Sequence, residues 1–109
     1  MSPLANGRGR VRQLDFDESA AGMDIHIIEL DPTGRDGAFH YHSRAENFYL
    51  ILEGSIALRL RQEAVTLSTG DCVWIPPGLP HGVSVRSGER ARLLEIYWPA
   101  PADYVPVEE

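Results

Sequence analysis

Four histidines occur in this 109-residue chain, and three of them fall in two short, heavily punctuated segments. His40 and His42 are one residue apart. On a strand, where side chains alternate with a period of two, both imidazoles then lie on one face. His81 follows the turn-forming run Pro76-Pro77-Gly78-Leu79-Pro80 and belongs to a different strand. A sheet that closes on itself can aim all three at one interior point. Three neutral imidazoles on one side of a tetrahedral or octahedral ion leave positions open for water, dioxygen or substrate, the layout of a catalytic site and not of a closed structural one. A lone His-x-His would be explained as well by polar residues satisfied locally by backbone. Two segments with their glycines and prolines in place are not.

Other side chains could serve such a centre or simply pack. His26 lies in the apolar stretch Met23 to Leu30 and points inward if Ile28 and Leu30 do, which makes it a candidate acid/base or substrate-binding group; the plainer alternative is a partly exposed strand histidine. Tyr49 shares strand parity with Asn47 and so enters the interior, either to orient a substrate through its hydroxyl or to fill the core. Leu93, Glu95 and Tyr97 share one face of the last strand, where a buried Glu95 needs a partner; it is either exposed or bonded to a ligand histidine. Arg44 reads as a solvated loop charge, or as a guide for an anionic substrate at the mouth of the site. Trp74 and Trp98 are expected to be packing groups, and Cys72 a small buried apolar residue.

The elements that must position these groups are strands. Short apolar runs separated by turn chemistry roughly every eight to twelve residues are the rhythm of sandwiches and barrels. The expected strands are Val11 to Phe16, Met23 to Leu30, Asn47 to Leu52, Ser55 to Arg61, Val65 to Leu67, Cys72 to Ile75, Val83 to Val85 and Leu93 to Trp98. Polar turns fall at Asp17 to Gly22, at Asp31-Pro32-Thr33-Gly34 and at Glu53-Gly54. No stretch carries helical periodicity with caps, so no core helix is expected. The fold class is therefore all-β, one domain of residues 1–109, with a barrel core over about residues 11–98 and a proline-rich extended tail over 99–109. The run Phe48-Tyr49-Leu50-Ile51-Leu52 is apolar on both faces, which points to a partner on its outer side. A homodimer is expected, against the alternative of a terminal segment covering that face.

Composition narrows the chemistry. All ten basic residues are arginines; without a lysine side chain, imine-forming and pyridoxal chemistry are excluded. The formal net charge of −6 argues against nucleic acid or an anionic membrane as partner. One cysteine allows no intrachain disulfide and no cysteine-rich zinc site. Residues 1–12 are polar and arginine-bearing, unlike a secretory signal, so a cytoplasmic location is expected.

The two histidine segments resemble the paired motifs of the cupin superfamily. The first, G-x5-H-x-H-x3,4-E-x6-G, is matched by Gly34, His40, His42 and Gly54. The second, G-x5-P-x-G-x2-H-x3-N, is matched by Gly70, Pro76, Gly78 and His81. The resemblance implies a jelly-roll β-barrel of six to eight strands, commonly dimeric, with one divalent transition metal ion (Fe, Zn, Ni or Mn) held by His40, His42 and His81. Two positions depart from the pattern. Val85 replaces an asparagine. The family's ligand glutamate falls on Asn47 counted back from Gly54, whereas Glu46 fits the shorter count from His42; one step along a strand reverses the face, so only one of them points inward. With Asn47 as the fourth metal position, a three-histidine centre carries one more positive charge and suits anionic or enolisable substrates. The resemblance then implies a metal-dependent enzyme on a small chelating molecule, with a three-histidine non-haem iron dioxygenase first. A zinc-, nickel- or manganese-dependent lyase, isomerase or cyclase is the alternative, and a non-catalytic small-molecule-binding domain the second.

Overall fold

Alternation along the strands decides what faces inward. In the computed structural model, which describes residues 2–3, 9–13, 22–30, 37–86 and 88–108, the strand carrying Asn47 alternates half-buried and buried positions through Leu52. The described residues form strands and no helix. In chain order these are β1 (Ser2–Pro3), β2 (Gly9–Gln13), β3 (Asp24–Leu30), β4 (His40–Tyr41), β5 (Glu46–Glu53), β6 (Ser55–Arg59), β7 (Ala64–Ser68), β8 (Cys72–Ile75), β9 (Gly82–Ser84), β10 (Ala91–Trp98) and β11 (Val105–Pro106). No helix long and apolar enough to cross a membrane occurs among them.

A six-stranded sheet runs β1-β2-β3-β10-β5-β8, facing a three-stranded sheet β7-β6-β9 and a two-stranded sheet β11-β4. An isolated antiparallel bridge between His40 and His81 ties β4 to the start of β9, so the two smaller sheets act as one opposing layer. Eleven buried side chains fill the space between layers, among them Ile51, Ile56, Leu58, Ile75 and Leu93. This is the double-layered jelly roll expected from the sequence, with Val85 in its core.

Strand bounds follow the expected runs within a few residues. The first differs most: it starts at Gly9, and residues 14–16 of the expected Val11 to Phe16 lie outside the described residues. So do Gly34, the Asp31-Pro32-Thr33-Gly34 turn and most of the Asp17 to Gly22 turn. Three residues are corrected. Trp74 and Trp98 are 56% and 51% exposed instead of packed inside, and Cys72 is exposed. Parity is the reason: Ile75 takes the buried face of β8, which sends Trp74 and Cys72 outward.

The Glu53-Gly54 turn demands glycine twice over. Its φ is +78°, and a Cβ there would stand 2.2 Å from the main-chain oxygen of Arg90. Gly70 has φ +90° with nothing within 4 Å of its Cβ position. Gly54→Ala is therefore expected to destabilise the fold by more than about 2 kcal/mol, and Gly70→Ala by only about 1 kcal/mol. Urea unfolding of the two variants checks this; equal losses would mean that the Arg90 contact is not what demands glycine.

Candidate metal centre

The bridge between His40 and His81 is the foundation of the site. The His40 amide donates to the His81 carbonyl at 2.9 Å, and the His81 amide returns the bond to His40 at 2.8 Å. Two histidines from segments forty residues apart are thus held side by side, and His42 joins them by strand alternation. A turn closed by the Leu79 amide on the Pro76 carbonyl, with Gly78 at φ +81°, delivers His81; proline followed by a positive-φ glycine is the chemistry of a type II turn. The Gly78 amide also donates to the His42 carbonyl at 2.8 Å, stitching the turn to the first segment.

One ring nitrogen of each histidine is already committed. Nδ1 of His40 donates to the Ala38 carbonyl at 2.8 Å, Nδ1 of His42 to the Asp103 carbonyl at 2.6 Å, and Nδ1 of His81 to the Leu79 carbonyl at 2.9 Å. Each ring is therefore the Nδ1–H tautomer with its lone pair on Nε2. The potential ligand atoms of the three residues lie within 4.8 Å of one another. Nε2 of His42 and of His81 are buried with no hydrogen-bond partner. Buried acceptors without donors are rare in folded proteins, and three converging imidazoles whose other nitrogens bond carbonyls are how proteins hold transition metals. The residues present fit a divalent ion.

The electrostatics agree. Burial, outweighing the Ala38 bond, and the nearby His81 and His42 lower the His40 pKa from 6.5 to about 4. Burial likewise lowers that of His81. Both stay neutral at physiological pH, as metal ligation requires.

Asn47, not Glu46, is the inward residue: it is completely buried, while Glu46 is half-buried on the opposite face. Its amide Nδ2 donates to Glu95 Oε2 at 3.1 Å and to the Ile96 carbonyl at 3.3 Å, while Oδ1 has no hydrogen-bond partner. Glu95 is buried, and of the two expectations for it the structure realises neither fully: it is enclosed, but its partners are His26 Nε2 at 2.7 Å and Asn47, not a histidine of the triad. His26 lies outside the triad, with its Nδ1 3.1 Å from Asp24. Burial works against a charge on His26, but the Glu95 and Asp24 carboxylates overcome it and raise the pKa. Tyr49 sits in the hydrophobic core, opposite Glu95 across β5 and β10. Arg44 is exposed.

Four participants were not singled out from the sequence. Tyr97 packs edge-on to His42 with ring centres 4.9 Å apart; burial, and then the nearby Glu95 carboxylate, raise its pKa so that the phenol keeps its proton. Its parity with Glu95 was the available signal. The others come from the tail and its anchor. Tyr104 stacks on His40 at 4.0 Å, and the Asp103 carbonyl orients His42. Ser43 binds the Asp103 carboxylate through its amide at 2.7 Å and through its hydroxyl, which holds that carboxyl below its ordinary range.

A family model described as a cupin domain matches residues 26–97. Over 74 residues, 67% of this chain, the sequence is 36% identical to the uncharacterised protein MJ1618 of Methanocaldococcus jannaschii. It is 30% identical over 67 residues, 62% of the chain, to the tetracenomycin polyketide synthase protein TcmJ of Streptomyces glaucescens. The matches span 59% and 44% of those two proteins, so the chain aligns with only about half of their length. Among solved structures, the polyketide cyclase RemF from Streptomyces resistomycificus superposes with a TM-score of 0.81 at 25% identity, over 94% of this chain and 72% of that one.

The pKa directions imply a signed pH dependence for chelator-treated protein. From pH 6.5 down to 5, His40 takes up a proton in the unfolded chain but not in the folded one, and the lowered pKa of His81 acts in the same direction, so stability falls with pH. His40 alone contributes a loss of about 1–2 kcal/mol over that window. The raised pKa of His26 works in the opposite sense: its contribution is present below pH 6.5 and fades as pH rises through its raised value. Urea unfolding at stepped pH is expected to show maximal metal-free stability near neutrality. Stability that holds or rises toward pH 5 would contradict the neutral-imidazole assignment.

Proposed function

This chain belongs to the cupin-domain family, and from that premise we propose that it is a metal-dependent enzyme acting on a small chelating, enolisable substrate, with ring closure of a polycarbonyl chain as the reaction. The observation that carries the proposal is the set of three imidazoles whose Nδ1–H groups are all spent on main-chain carbonyls, leaving Nε2 of each for one divalent transition metal ion. The likeness to the polyketide cyclase RemF and to TcmJ supports cyclisation over the other outcomes open to such a centre.

A divalent ion held by His40, His42 and His81 would supply Lewis-acid polarisation of a chelated carbonyl and so acidify the adjacent C–H. Asn47 presents Oδ1 as a neutral fourth donor. Without a carboxylate among the ligands, the positive charge available to an enolate is one unit higher than in a three-histidine, one-glutamate centre. Tyr104, half exposed over His40, offers an aromatic surface against which a flat conjugated substrate can lie and exclude water. Tyr97 packs edge-on to His42, Glu95 bonds Asn47 and His26 bonds Glu95, while Tyr49 lies in the core.

A three-histidine iron dioxygenase stays as a second reading, favoured by the same all-neutral ligand set. Protein purified without chelators separates the readings through metal analysis and through oxygen uptake with a panel of β-di- and polycarbonyls. Zinc, nickel or manganese, with substrate consumed and no oxygen uptake, is expected. Iron with substrate-dependent uptake would move the assignment to the dioxygenase, and tight binding without turnover to a binding domain. His81→Ala is expected to weaken metal binding by more than about 100-fold; retention of wild-type affinity would remove the centre altogether.

We further propose that the outer face of the six-stranded sheet receives a second copy of the chain. Phe48, Leu50, Leu94 and Ile96 lie side by side there by register, flanked by the exposed Trp74 and Trp98. A contiguous apolar strip is a liability on a monomer and suits an isologous two-fold contact. Light scattering at micromolar concentration is expected to give a dimer, and Phe48→Glu a monomer that still binds metal. A monomeric wild type would exclude the contact.

A further inference from the structure

We infer that Glu95 is a positioning residue for the metal centre: it holds the Asn47 amide so that the carbonyl oxygen, and not the NH2 group, is presented beside the three imidazoles. The inference rests on the metal-binding reading above. To that reading it adds a residue of β10, outside both histidine segments.

The orientation of the Asn47 amide is determined by its surroundings. Nδ2 faces two acceptors, the Glu95 carboxylate and the Ile96 carbonyl, at 3.1 and 3.3 Å. Turned over, Oδ1 would stand against both of those oxygens, and an NH2 group that cannot ligate a metal would face the site. In the orientation adopted, Oδ1 is a fully buried carbonyl oxygen with no donor, as Nε2 of His42 and of His81 are buried without one, and Tyr97 links the two sets, lying opposite Asn47 in register and edge-on to the His42 ring. A cation held by the imidazoles would give the Asn47 oxygen the partner it lacks.

Glu95 can do this because every group around it donates. Oε1 accepts from His26 Nε2 at 2.7 Å and Oε2 from Asn47 at 3.1 Å. His26 is in turn held by Asp24 at 3.1 Å, so both of its nitrogens face carboxylate oxygens and the buried charge of Glu95 is compensated. An amide at position 95 would satisfy His26 or Asn47 but not both. Where related motifs place a carboxylate on the ion, this chain places an amide there and keeps the carboxylate one layer behind it. Register explains the reach: Asn47 lies opposite Tyr97 and Glu95 opposite Tyr49, which makes Asn47 and Glu95 diagonal neighbours.

The charge of Glu95 also acts through space on His40 and His81, and a double-mutant cycle separates that effect from positioning. Co2+ affinity of the full chain is measured by its visible absorption for wild type, Glu95→Gln, Asn47→Ala and the double variant. Glu95→Gln is expected to weaken Co2+ binding about 10- to 100-fold, and to add no further weakening once Asn47 is alanine. An equal loss in both backgrounds would mean that Glu95 acts by charge alone and would overturn the inference, as would an unchanged Glu95→Gln protein. Should Glu95→Gln not fold, the exchange variant Asn47→Glu/Glu95→Gln carries the test, since an amide at 95 can accept from His26 and donate to a carboxylate at 47. It is expected to fold and bind Co2+ at least as tightly as wild type; tenfold weaker binding by the folded exchange variant overturns the inference. Wild type taking up no Co2+ is a different failure, that of the metal-binding reading itself, and the inference falls with it.

Discussion

Two main-chain hydrogen bonds between His40 and His81 bear more of this structure than any side-chain contact. Together with the bond from the Gly37 amide to the Val83 carbonyl, they tie the segment of β4 to the β6–β7–β9 layer, and so join two small sheets into the layer that opposes the six-stranded sheet. The same bonds fix the spacing of two imidazoles without using either ring. An arrangement that depended on side chains alone would leave their rotamers to set the geometry. Here the backbone sets it, and the Nδ1 bonds to Ala38 and Leu79 only choose tautomer and tilt. The bridge also explains why the Pro76–Leu79 turn must be tight: a looser turn would shift His81 along its strand, and a shift of one residue would reverse its face.

Charge is arranged in layers around that bridge. Nearest the centre are neutral groups, the three imidazoles and the Asn47 amide. Behind them sits the acidic and basic set Asp24, His26 and Glu95, paired with one another. A buried carboxylate is tolerable only when paired and hydrogen-bonded, and Glu95 meets that condition through donors on both oxygens. The separation has a consequence for chemistry. On the proposed metal-binding reading, an ion meeting only neutral donors would keep its full charge for an anionic substrate, while the Glu95 carboxylate bonds the Asn47 amide.

Much of this was legible in the chain because it depends on local period and spacing. Alternation placed Tyr49 on the inward face with Asn47, the counted gap to Gly54 favoured Asn47 over Glu46, and His-x-His with Pro-x-Gly-x2-His located the triad. What was not legible depends on packing between distant segments. Trp74 and Trp98 looked like core residues because large aromatics usually are, yet their own neighbours Ile75 and Tyr97 took the inward positions. Glu95 could be narrowed to exposed or partnered, but its partner His26 lies across a strand pair 69 residues away in sequence. Asp103 and Tyr104 carried no signal at all: a proline-rich end has no periodicity from which a return to the barrel could be inferred.

That return makes the tail part of the centre. Val105 and Pro106 pair with Tyr41 and His40, the Val107 amide donates to the Phe39 carbonyl at 2.8 Å, and Asp103 is clasped by Ser43 while its carbonyl holds His42. Docking of the segment and ordering of His40 and His42 are therefore coupled. Any ion that favours the ordered histidines must by linkage favour the docked tail to the same degree. Few of the tail's contacts are buried, since Asp103 and Tyr104 are both exposed, so its local stability is low compared with the core. A short, weakly buried strand is thus coupled directly to the geometry of the triad.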